Sequence, residues 1–500
     1  MALIFPILII LLTIAVAQQW RRRQRLPRGP TPLPFIGNFH QLIYYGFRLG
    51  SIVAVYHHFE KIYGKVFTLW MGPLPTVYIS DYNVAHESHI KRANLFSKRF
   101  TTGTTNYIRE GRGIIASNGE FWQEHRRFAL QTLREFGLGR NLMEEKIMEE
   151  YRYRVSDYQK THKRDGAIEI HAGTFFDLLV GSIINQLLIS ERFEQGDPEF
   201  EKIKTSLALT LENFGLIDIF FPTWLLDSPL MRWRQKKIFE PFDFVLEVTK
   251  KNVARRVSSI EKGDHVIEDD GNDFIDAFLV KIEKDEREGV NSTFNLETLA
   301  IDIYDLWQAG QETTATTLTW AYACLLNHPE VVRKVRTELI EVTGGNRNIG
   351  LNDKLNTPYL NATINEVQRI ASLISINLLR EIEEDTVLDG QPLAAGTPVT
   401  TQLSMIHTDE TVFENHTEFR PERFLANSSL EKKLIPFGIG KRSCLGESLA
   451  RAELYLILGN LLLEFDIEPV GSVPPIETIS PFGFLRRPPS FDIRFVPIKH

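Results

Sequence analysis

The stretch PFGIGKRSCLG, residues 436–446, decides the fold. It surrounds Cys444, one of only two cysteines in the chain, with glycines and two cations; the glycines are Gly438, Gly440 and Gly446. A cysteine binds a metal as a thiolate, and a thiolate needs help to lose its proton. Glycines permit the unusual φ values of a turn whose backbone N–H groups point at the sulfur. We therefore expect a loop that stabilises an ionised sulfur.

The segment after this loop is predicted to be a helix. Residues 447–465, ESLARAELYLILGNLLLEF, are apolar at Leu449, Ala452, Leu456 and Leu463. The amino-terminal end of a helix carries partial positive charge. A helix that begins directly after the loop therefore adds to the stabilisation of a thiolate.

Two other interpretations of the loop do not fit its residues. A phosphate-binding P-loop needs Ser or Thr where Arg442 stands and glycine where Ile435 stands. The sequence GESLA, residues 446–450, lacks the last glycine of a serine nucleophile elbow. A buried structural cysteine in a tight turn remains an alternative for Cys444 on these residues alone.

Composition limits the class of protein. The chain has 500 residues, 43% of them hydrophobic, and a net charge of −7, which argues against a nucleic-acid-binding protein. Two cysteines cannot form a disulfide framework, so a reducing compartment is expected. No Cys-x-x-Cys occurs, which excludes a zinc site built on such a thiol pair.

The amino terminus is predicted to be a membrane anchor. Residues 2–17 are apolar and uncharged, and RRRQR follows at residues 21–25. A bilayer core needs about 20 helical residues, and positive charge after the apolar run places the body in the cytoplasm. We expect a transmembrane signal-anchor helix over residues 1–20 and a basic, proline-rich hinge over 21–38. A cleaved secretory signal is the alternative for the short apolar run.

Helical periodicity dominates the rest of the chain. Strand signals lie at 65–72, at 75–80, between 385 and 401 and after 479, and the longest helix is predicted over 296–326, with Asn295 as its cap and His328-Pro329 at its end. The other segments predicted to be rich in helix are 52–62, 78–96, 119–135, 139–160, 170–190 and 230–258. The fold class is therefore mainly α, with small β-sheets at the periphery.

Residues 437–446 match a known signature at every fixed position. The signature is Phe-x-x-Gly-x-Arg-x-Cys-x-Gly, with Phe437, Gly440, Arg442, Cys444 and Gly446 at the fixed positions. On this basis the chain resembles the cytochrome P-450 superfamily, and its order of motifs resembles a microsomal, animal-type member. The resemblance implies that Cys444 is the axial ligand of haem b (iron protoporphyrin IX). It also implies that Phe437 packs near the haem and that Arg442 reaches a haem propionate.

A second match lies in the predicted long helix. AGQETT, residues 309–314, resembles the acid–alcohol segment of the family. The resemblance implies catalytic roles: Thr313 accepts a hydrogen bond from dioxygen or holds a water there, and Glu312 relays protons from solvent. Ala309 and Gly310 would leave room for oxygen. From the residues alone, threonines that bond back to helix carbonyls are the alternative.

Two further matches concern arginines. WQEHR, residues 122–126, resembles the Trp-x-x-x-Arg motif, which implies that Trp122 and Arg126 bind a propionate. Arg380 falls where many members place another propionate partner, although Leu379 precedes it instead of the usual proline.

EVQR, residues 366–369, and FRPERF, residues 419–424, resemble a Glu-x-x-Arg pair and the segment that joins it. The resemblance implies a structural clamp of Glu366, Arg369 and Arg423 near the proximal side of the haem.

The resemblance implies one large catalytic domain, residues 39–500, behind the anchor. The implied reaction inserts one oxygen atom of O₂ into a lipophilic small molecule such as a fatty acid, steroid or xenobiotic. No nucleotide-binding fingerprint follows a strand, so electrons from NADPH must come through a partner, an NADPH–cytochrome P-450 reductase. The location implied is the endoplasmic reticulum membrane, single-pass, with the catalytic domain on the cytosolic face.

The sequence also indicates where the reductase and the substrate would bind. Lys432, Lys433 and Lys441 flank the loop as a docking patch for the reductase, or as ordinary solvated lysines. The substrate pocket is expected to draw on 101–115, 209–221, 373–378, 481–484 and the helix face with Ile303 and Leu306. Two other functions stay open: a related isomerase or dehydratase that needs no external electrons, and a non-enzymatic haem sensor or carrier.

Overall fold

The computed structural model describes residues 4–136, 141–213, 218, 223–268, 271–374, 377–476 and 485–498. Helices dominate these ranges. The α-helices are α1 (Ile4–Arg23), α2 (Phe39–Leu49), α3 (Ile52–Tyr63), α4 (Tyr82–His86), α5 (Gly103–Arg109), α6 (Gly119–Glu135), α7 (Asn141–Thr161), α8 (Ala172–Ile189), α9 (Pro198–Asn213), α10 (Thr223–Leu226), α11 (Arg232–Glu261), α12 (Phe274–Glu288), α13 (Leu296–Asn327), α14 (Pro329–Thr343), α15 (Pro358–Ala371), α16 (Leu403–His407), α17 (Glu422–Ala426), α18 (Ser429–Lys433) and α19 (Glu447–Glu464).

The strands form small sheets at the periphery. They are β1 (Val66–Met71), β2 (Leu74–Ile79), β3 (Lys98–Arg99), β4 (Lys163–Arg164), β5 (Ala167–His171), β6 (Arg380–Glu381), β7 (Thr386–Leu388), β8 (Gln391–Leu393), β9 (Pro398–Thr401), β10 (Phe465–Pro469) and β11 (Asp492–Pro497). One sheet has the order β1-β2-β9-β6-β3, a second has the order β10-β11-β5-β4, and β7 pairs with β8 alone. Only the β2–β9 pairing among these strands is parallel. The predicted mainly helical class is confirmed.

The long helix α13 is the centre of the main hydrophobic core. The Asn295 side chain accepts a hydrogen bond from the Thr298 N–H at 2.9 Å, which caps the helix as predicted. The helix ends before His328, and Pro329 begins α14. Helices α8, α11 and α19 pack against it, and Trp307 and Trp320 on α13 are fully buried. The wide apolar surface of the sequence thus places α13 inside the molecule.

Helix α8 is long and apolar enough to cross a membrane, but 78% of it is buried inside the molecule. It is a core helix. Helix α1 covers most of the predicted anchor and continues through Arg21 to Arg23, so the helix does not end at the predicted boundary at residue 20.

The predicted hinge is hydrogen-bonded to strand β1. The Thr68 hydroxyl on β1 donates to the Pro27 carbonyl at 2.8 Å, and the Thr68 N–H donates to the Arg28 carbonyl at 3.1 Å. A Cβ at Gly29 would collide with the Thr68 backbone, so only glycine permits this close approach. The prolines prevent regular structure as predicted, and the segment packs against β1 instead of swinging freely.

One helical prediction was wrong. Residues 78–96 do not form one helix, because β2 runs to Ile79 and pairs with β9. The helical part is α4 followed by a π-helix, Glu87–Lys91. Pairing with a strand more than 300 residues away overrides the local periodicity here.

The predicted clamp is present. On α15, Arg369 donates two hydrogen bonds to the Glu366 carboxylate at 2.8 and 2.9 Å, and Arg423 on α17 donates a third at 3.1 Å. Glu366 is 0% exposed, Arg369 1% and Arg423 5%. Both arginines also donate to backbone carbonyls between residues 407 and 418. The clamp therefore ties α15 to the segment that leads to the cysteine loop.

We predict that Glu366→Gln lowers the free energy of unfolding by about 3–5 kcal/mol, because it leaves two buried guanidinium groups without a carboxylate. The shift of the urea unfolding midpoint measures this loss. Arg287→Ala is the control, since Arg287 pairs with Glu283 at 2.7 Å on the surface with both side chains more than 70% exposed, and its loss should cost less than about 1 kcal/mol. Equal midpoints for the two variants would contradict the buried clamp.

Candidate functional site

The cysteine loop lies between α18 and α19. The Cys444 N–H donates to the Phe437 carbonyl at 2.8 Å, which closes the loop. Gly438 and Gly440 have φ values of 76° and 81°, the left-handed region that favours glycine. Gly446 has an ordinary φ of −88°, so the expectation of unusual geometry at this residue was wrong.

Gly440 and Gly446 meet different surroundings. A Cβ at Gly440 would collide with the backbone carbonyl of His89, a buried residue of the π-helix. A Cβ at Gly446 would meet no heavy atom of the described residues within 4 Å. The loop is therefore pressed against the π-helix at Gly440, while it leaves open space beside the start of α19.

Cys444 is the accessible cysteine of the two. Cys324 on α13 is fully buried, and burial raises the pKa of its thiol to about 12. The Cys444 side chain is accessible, although enough protein surrounds it that burial raises the pKa of its thiol as well. The sulfur therefore faces an interior space.

The loop alone does not ionise Cys444. The Gly446 N–H and the Arg126 guanidinium favour the thiolate, but burial outweighs them and the pKa of the thiol is raised. The expectation that a backbone N–H group of the loop favours the thiolate is confirmed at Gly446, although burial raises the pKa of the thiol overall. A metal cation bound to the sulfur would supply the missing positive charge, since coordination deprotonates a thiol.

Helix α13 presents a second accessible surface in the interior. Ala309 is exposed and Thr313 is half-buried, although nearly all of their helix is buried. The Thr313 hydroxyl donates to the Ala309 carbonyl at 2.7 Å. This is the back-bonding that the sequence left as an alternative, and it leaves the Thr313 oxygen free to accept. A Cβ at Gly310 would lie 3.0 Å from Ile184 on α8, so Gly310 serves helix packing instead of the predicted room for oxygen.

Glu312 is buried beside Thr313 and has a cationic partner. Arg487 donates to the Glu312 carboxylate at 2.6 Å and to the Glu212 carboxylate on α9 at 2.6 Å. Burial raises the pKa of Glu312, and the Arg487 charge opposes that rise. The side chains are 8% exposed at Glu312, 39% at Arg487 and 54% at Glu212. This chain of charges leads from the interior to the surface. Sequence reasoning missed Arg487, which no local pattern connects to α13.

Four guanidinium groups gather beside the loop, from Arg99, Arg126, Arg380 and Arg442. Burial lowers the pKa of each of the four. Mutual repulsion contributes at Arg99, whose pKa falls to about 10, at Arg380, which falls to about 9, and at Arg442, which falls to about 8. None of the four forms an ion pair with a carboxylate of the described residues. The cluster is a site of uncompensated positive charge, in which Arg380 and Arg442 are buried and Arg99 and Arg126 are half-buried.

Arg99 is a site residue that the sequence did not indicate. It lies on β3 directly opposite Arg380 on β6. The two residues are far apart in the chain, and a two-residue strand has no periodicity to detect. Only the pairing of these strands brings the two guanidinium groups together.

The arginines bond to backbone carbonyls, and not all of their N–H groups are used. Arg126 donates to the Ser443 carbonyl at 2.7 Å, beside the cysteine. Arg442 donates to Ser97, Ser117 and Asn118, each at 2.8 Å, while its buried Nη1 has no partner among the described residues.

The Trp122 ring packs against the arginine cluster. The Arg442 guanidinium carbon lies 3.6 Å from the centre of the Trp122 ring, which is cation–π geometry. The Arg126 guanidinium carbon also lies near this ring, at 5.9 Å from its centre. The expected contact of Trp122 with a propionate stays a prediction. Phe437 is similarly close to the Arg451 guanidinium, at 4.8 Å.

These residues fit an iron porphyrin. Its two carboxylates would neutralise the arginine cluster and accept from the unused Arg442 N–H. Its iron would take the Cys444 sulfur as ligand, which removes the penalty that burial places on the thiolate.

The predicted substrate segments are only partly described. Residues 214–217, 219–222, 375–376 and 481–484 lie outside the described residues. Ile303 is 0% exposed and Leu306 is 8% exposed, so both belong to the packed core and not to an open pocket wall. A surface cavity of about 390 Å³ lies instead beside Glu144 and Arg347, and no predicted site residue lines it.

Comparison with known proteins agrees with the site. The family model described as "Cytochrome P450", here written P-450, matches residues 27–495. The chain is 38% identical to probable cytochrome P-450 cyp-35D1 of Caenorhabditis elegans, over 95% of this chain and 96% of the relative. It is 34% identical to human cytochrome P-450 2C8, over 96% of both chains, and 32% identical to mouse cytochrome P-450 2A5, over 97% of this chain and 96% of the relative. The chain therefore belongs to the cytochrome P-450 family of haem-thiolate monooxygenases.

Proposed function

We propose that this enzyme inserts one oxygen atom of O₂ into a lipophilic small molecule, with electrons from NADPH delivered by a reductase. The observation that supports the proposed haem site most directly is the cluster of four arginines beside the accessible sulfur of Cys444, in which Arg380 and Arg442 are buried and the other two are half-buried. A dianionic porphyrin that carries iron satisfies both features at once.

The residues of the chain then have distinct roles. When bound, the haem supplies the iron chemistry that activates dioxygen. Cys444 holds the iron, and the four arginines hold the propionates and orient the plane of the ring. Phe437 and Gly440 shape the loop, and Gly446 leaves the space beside it.

Proton supply is the role of the polar residues on α13. Thr313 keeps its oxygen as an acceptor because its proton is committed to the Ala309 carbonyl. Glu312 is the adjacent acid, and its raised pKa favours a carboxyl that can hold a proton. Arg487 and Glu212 connect this acid to solvent. We propose that Glu312 takes up protons from solvent on the side where Arg487 and Glu212 reach the surface, and that Arg487 holds the two carboxylates without giving up a proton itself.

The electron donor is proposed to dock near the cysteine loop. Lys432 and Lys441 are exposed and Lys433 is half-buried, as a patch for an acidic partner requires. We propose an NADPH–cytochrome P-450 reductase as that partner, since no nucleotide-binding fingerprint occurs in the chain.

A location at the endoplasmic reticulum membrane follows from the amino-terminal segments. The apolar run of α1 ends in basic residues. Large apolar side chains near it are exposed: Trp20 is 61% exposed, Phe35 66% and Phe47 89%. We propose that α1 anchors the protein and that these side chains contact the lipid.

The test is reconstitution of the full chain in lipid vesicles with the reductase, NADPH and a panel of fatty acids, steroids and xenobiotics. We expect NADPH consumption, O₂ uptake and hydroxylated product to rise together with at least one compound. Conversion of an organic peroxide without NADPH would favour the isomerase or dehydratase instead. Stable haem with no turnover of any compound would favour a sensor.

Arg99→Met is predicted to weaken haem retention. Loss of one charge-assisted contact costs about 1.5–3 kcal/mol, which corresponds to about tenfold or more in the rate of haem loss. Transfer of haem to an excess of a haem-scavenging protein measures that rate. Arg287→Met, on the surface, is the control, and an equal rate for the two variants would contradict a role of Arg99 at the propionates.

Cys444→Ser is predicted to abolish the thiolate-type absorption spectrum of the ferrous–CO complex, because a serine hydroxyl does not supply the sulfur ligand. Cys324→Ala is the matched control and should keep that spectrum, since Cys324 is buried in the core. A thiolate-type spectrum in the Cys444 variant would remove this residue from its proposed role.

Thr313→Ala is predicted to divert NADPH electrons from product to hydrogen peroxide, because the accepting oxygen beside Glu312 is lost. Product and peroxide formed per NADPH consumed are the quantities to compare. Thr319→Ala is the control, since Thr319 is buried and donates to the Ala315 carbonyl at 2.9 Å in the same manner. Unchanged coupling in the Thr313 variant would count against its catalytic role.

A further inference from the structure

His407 is a buried histidine that has no role in the proposed reaction so far. It is the last residue of α16 and is 0% exposed. The Ile435 N–H donates to its Nε2 at 3.1 Å, and its Nδ1 lies 3.0 Å from the Ser372 hydroxyl. Both ring nitrogens therefore have partners, one directly before the cysteine loop and one directly after α15.

The hydrogen bond from Ile435 decides which ring nitrogen carries the proton. A backbone N–H only donates, so Nε2 is the unprotonated nitrogen that accepts. Nδ1 then carries the proton and donates to the Ser372 oxygen, and the Ser372 hydroxyl donates in turn to the Arg369 carbonyl at 2.9 Å. Burial and the Arg369 charge lower the pKa of His407 to about 3, so the ring is neutral at neutral pH. One tautomer satisfies all of these bonds.

The clamp on Glu366 holds the other end of this chain of hydrogen bonds. Arg369 binds the Glu366 carboxylate and also donates to the His407 carbonyl at 3.2 Å. Ser372 has a φ of 35°, in the left-handed region that residues with a side chain rarely adopt. Such a conformation persists where surrounding bonds hold it, and the Ser372 hydroxyl bonds both His407 and Arg369. The imidazole is therefore held in place through its backbone and through its ring.

The Ile435 N–H is the last backbone donor before the cysteine loop, since Pro436 has none. The Ile435 carbonyl accepts from the Gly438 N–H at 3.0 Å, which forms a turn that contains Phe437. The Phe437 carbonyl accepts from the Cys444 N–H at 2.8 Å. The position of Ile435 therefore sets where the loop begins and, through this turn, where the backbone of Cys444 lies.

We propose that His407 is a positioning residue for the cysteine loop: its unprotonated Nε2 holds the Ile435 N–H and so fixes the start of the loop that carries Cys444. This inference rests on the proposed function for the part that the sulfur plays at the iron. It does not rest on it for the tautomer of His407 or for the protection of the Ile435 N–H, which can be measured without turnover.

The test compares His407→Gln with His407→Asn as holoenzymes. A glutamine side chain is long enough to offer its amide oxygen to the Ile435 N–H in place of Nε2. The shorter asparagine reaches only the place of Nδ1, beside Ser372. Ser182→Ala on α8 is the control, because it removes the partner of another buried backbone N–H, that of Phe193, which donates to the Ser182 hydroxyl oxygen at 3.2 Å.

We expect amide hydrogen exchange at Ile435 to become about fivefold faster or more in His407→Asn, since a buried N–H loses its partner. In His407→Gln and Ser182→Ala the rate should stay within about twofold of the parent, although Ser182→Ala should quicken exchange at Phe193. The thiolate-type share of the ferrous–CO absorption should fall in His407→Asn alone. Equal exchange rates at Ile435 in the two His407 variants would overturn the proposal.

Equal spectra of the two His407 variants would also overturn the proposal where the parent has the thiolate-type absorption. A parent without that absorption would contradict the proposed function instead, and hydrogen exchange at Ile435 would then decide the role of His407. The two failures are therefore distinguishable.

Nitrogen NMR of the parent holoenzyme with isotope-labelled histidine tests the same inference without a destabilised variant. The His407 signals, identified by their absence from His407→Gln, should show a protonated Nδ1 and an unprotonated Nε2. They should not change between about pH 5 and pH 8, because the pKa of His407 is about 3. A proton on Nε2, or titration of the ring within this range, would overturn the inference even where the monooxygenase reaction is observed.

Discussion

Uncompensated positive charge in the interior is the constraint on which the site depends. Each of the four guanidinium groups loses hydration, and repulsion from other members of the cluster lowers the pKa of Arg99, Arg380 and Arg442 further. Hydrogen bonds to backbone carbonyls recover part of this cost, but no described carboxylate balances it. When a dianion binds beside the four guanidinium groups, their attraction to its negative charges outweighs the repulsion between them. The stability of this region is therefore a property of the protein together with its cofactor.

The sulfur and the arginines form one electrostatic unit. Arg126 reaches the carbonyl of Ser443, and Arg442 stands two residues before Cys444. Burial works against charge on both sides: it disfavours the thiolate and it disfavours the cations. The iron of a porphyrin would offer positive charge to the thiolate, and its carboxylates would offer negative charge to the arginines. The arginines alone do not compensate for the burial of the thiolate, and the thiolate alone does not compensate for the charges of the arginines.

Helix caps, helix ends and apolar periodicity are local features of the sequence, and the helices that they define were predicted well. The cap at Asn295, the His328-Pro329 end and the apolar periodicity gave the bounds of α13 to within one residue. The segment 119–135 coincides with α6, and 447–465 coincides with α19 except for its last residue. The clamp on Glu366 was predicted from the family resemblance, since a Glu-x-x-Arg pair is by itself common on helix surfaces.

Other features depend on contacts between distant parts of the chain, which one sequence does not show. Strand pairing sets Arg99 opposite Arg380, and it keeps Tyr78 and Ile79 in β2 although they also fall in the segment 78–96 that was predicted to be a helix. The Trp122 ring supports Arg442, and Gly310 faces Ile184, because of how helices and loops pack. Whether Cys444 is a thiol or a thiolate depends on burial, which raises the pKa of the thiol, and on the Gly446 N–H, which lowers it. The glycines of the loop indicate only the second effect.

The wide spread of the arginine cluster along the chain also has a consequence for biosynthesis. Its members stand at positions 99, 126, 380 and 442, and the sulfur follows at 444. A chain emerging from the ribosome folds from its amino terminus, yet the last two contributors leave the ribosome only when most of the polypeptide has been made. Acquisition of the prosthetic group is thus a late event of maturation, and a truncated nascent chain has no complete place to receive it.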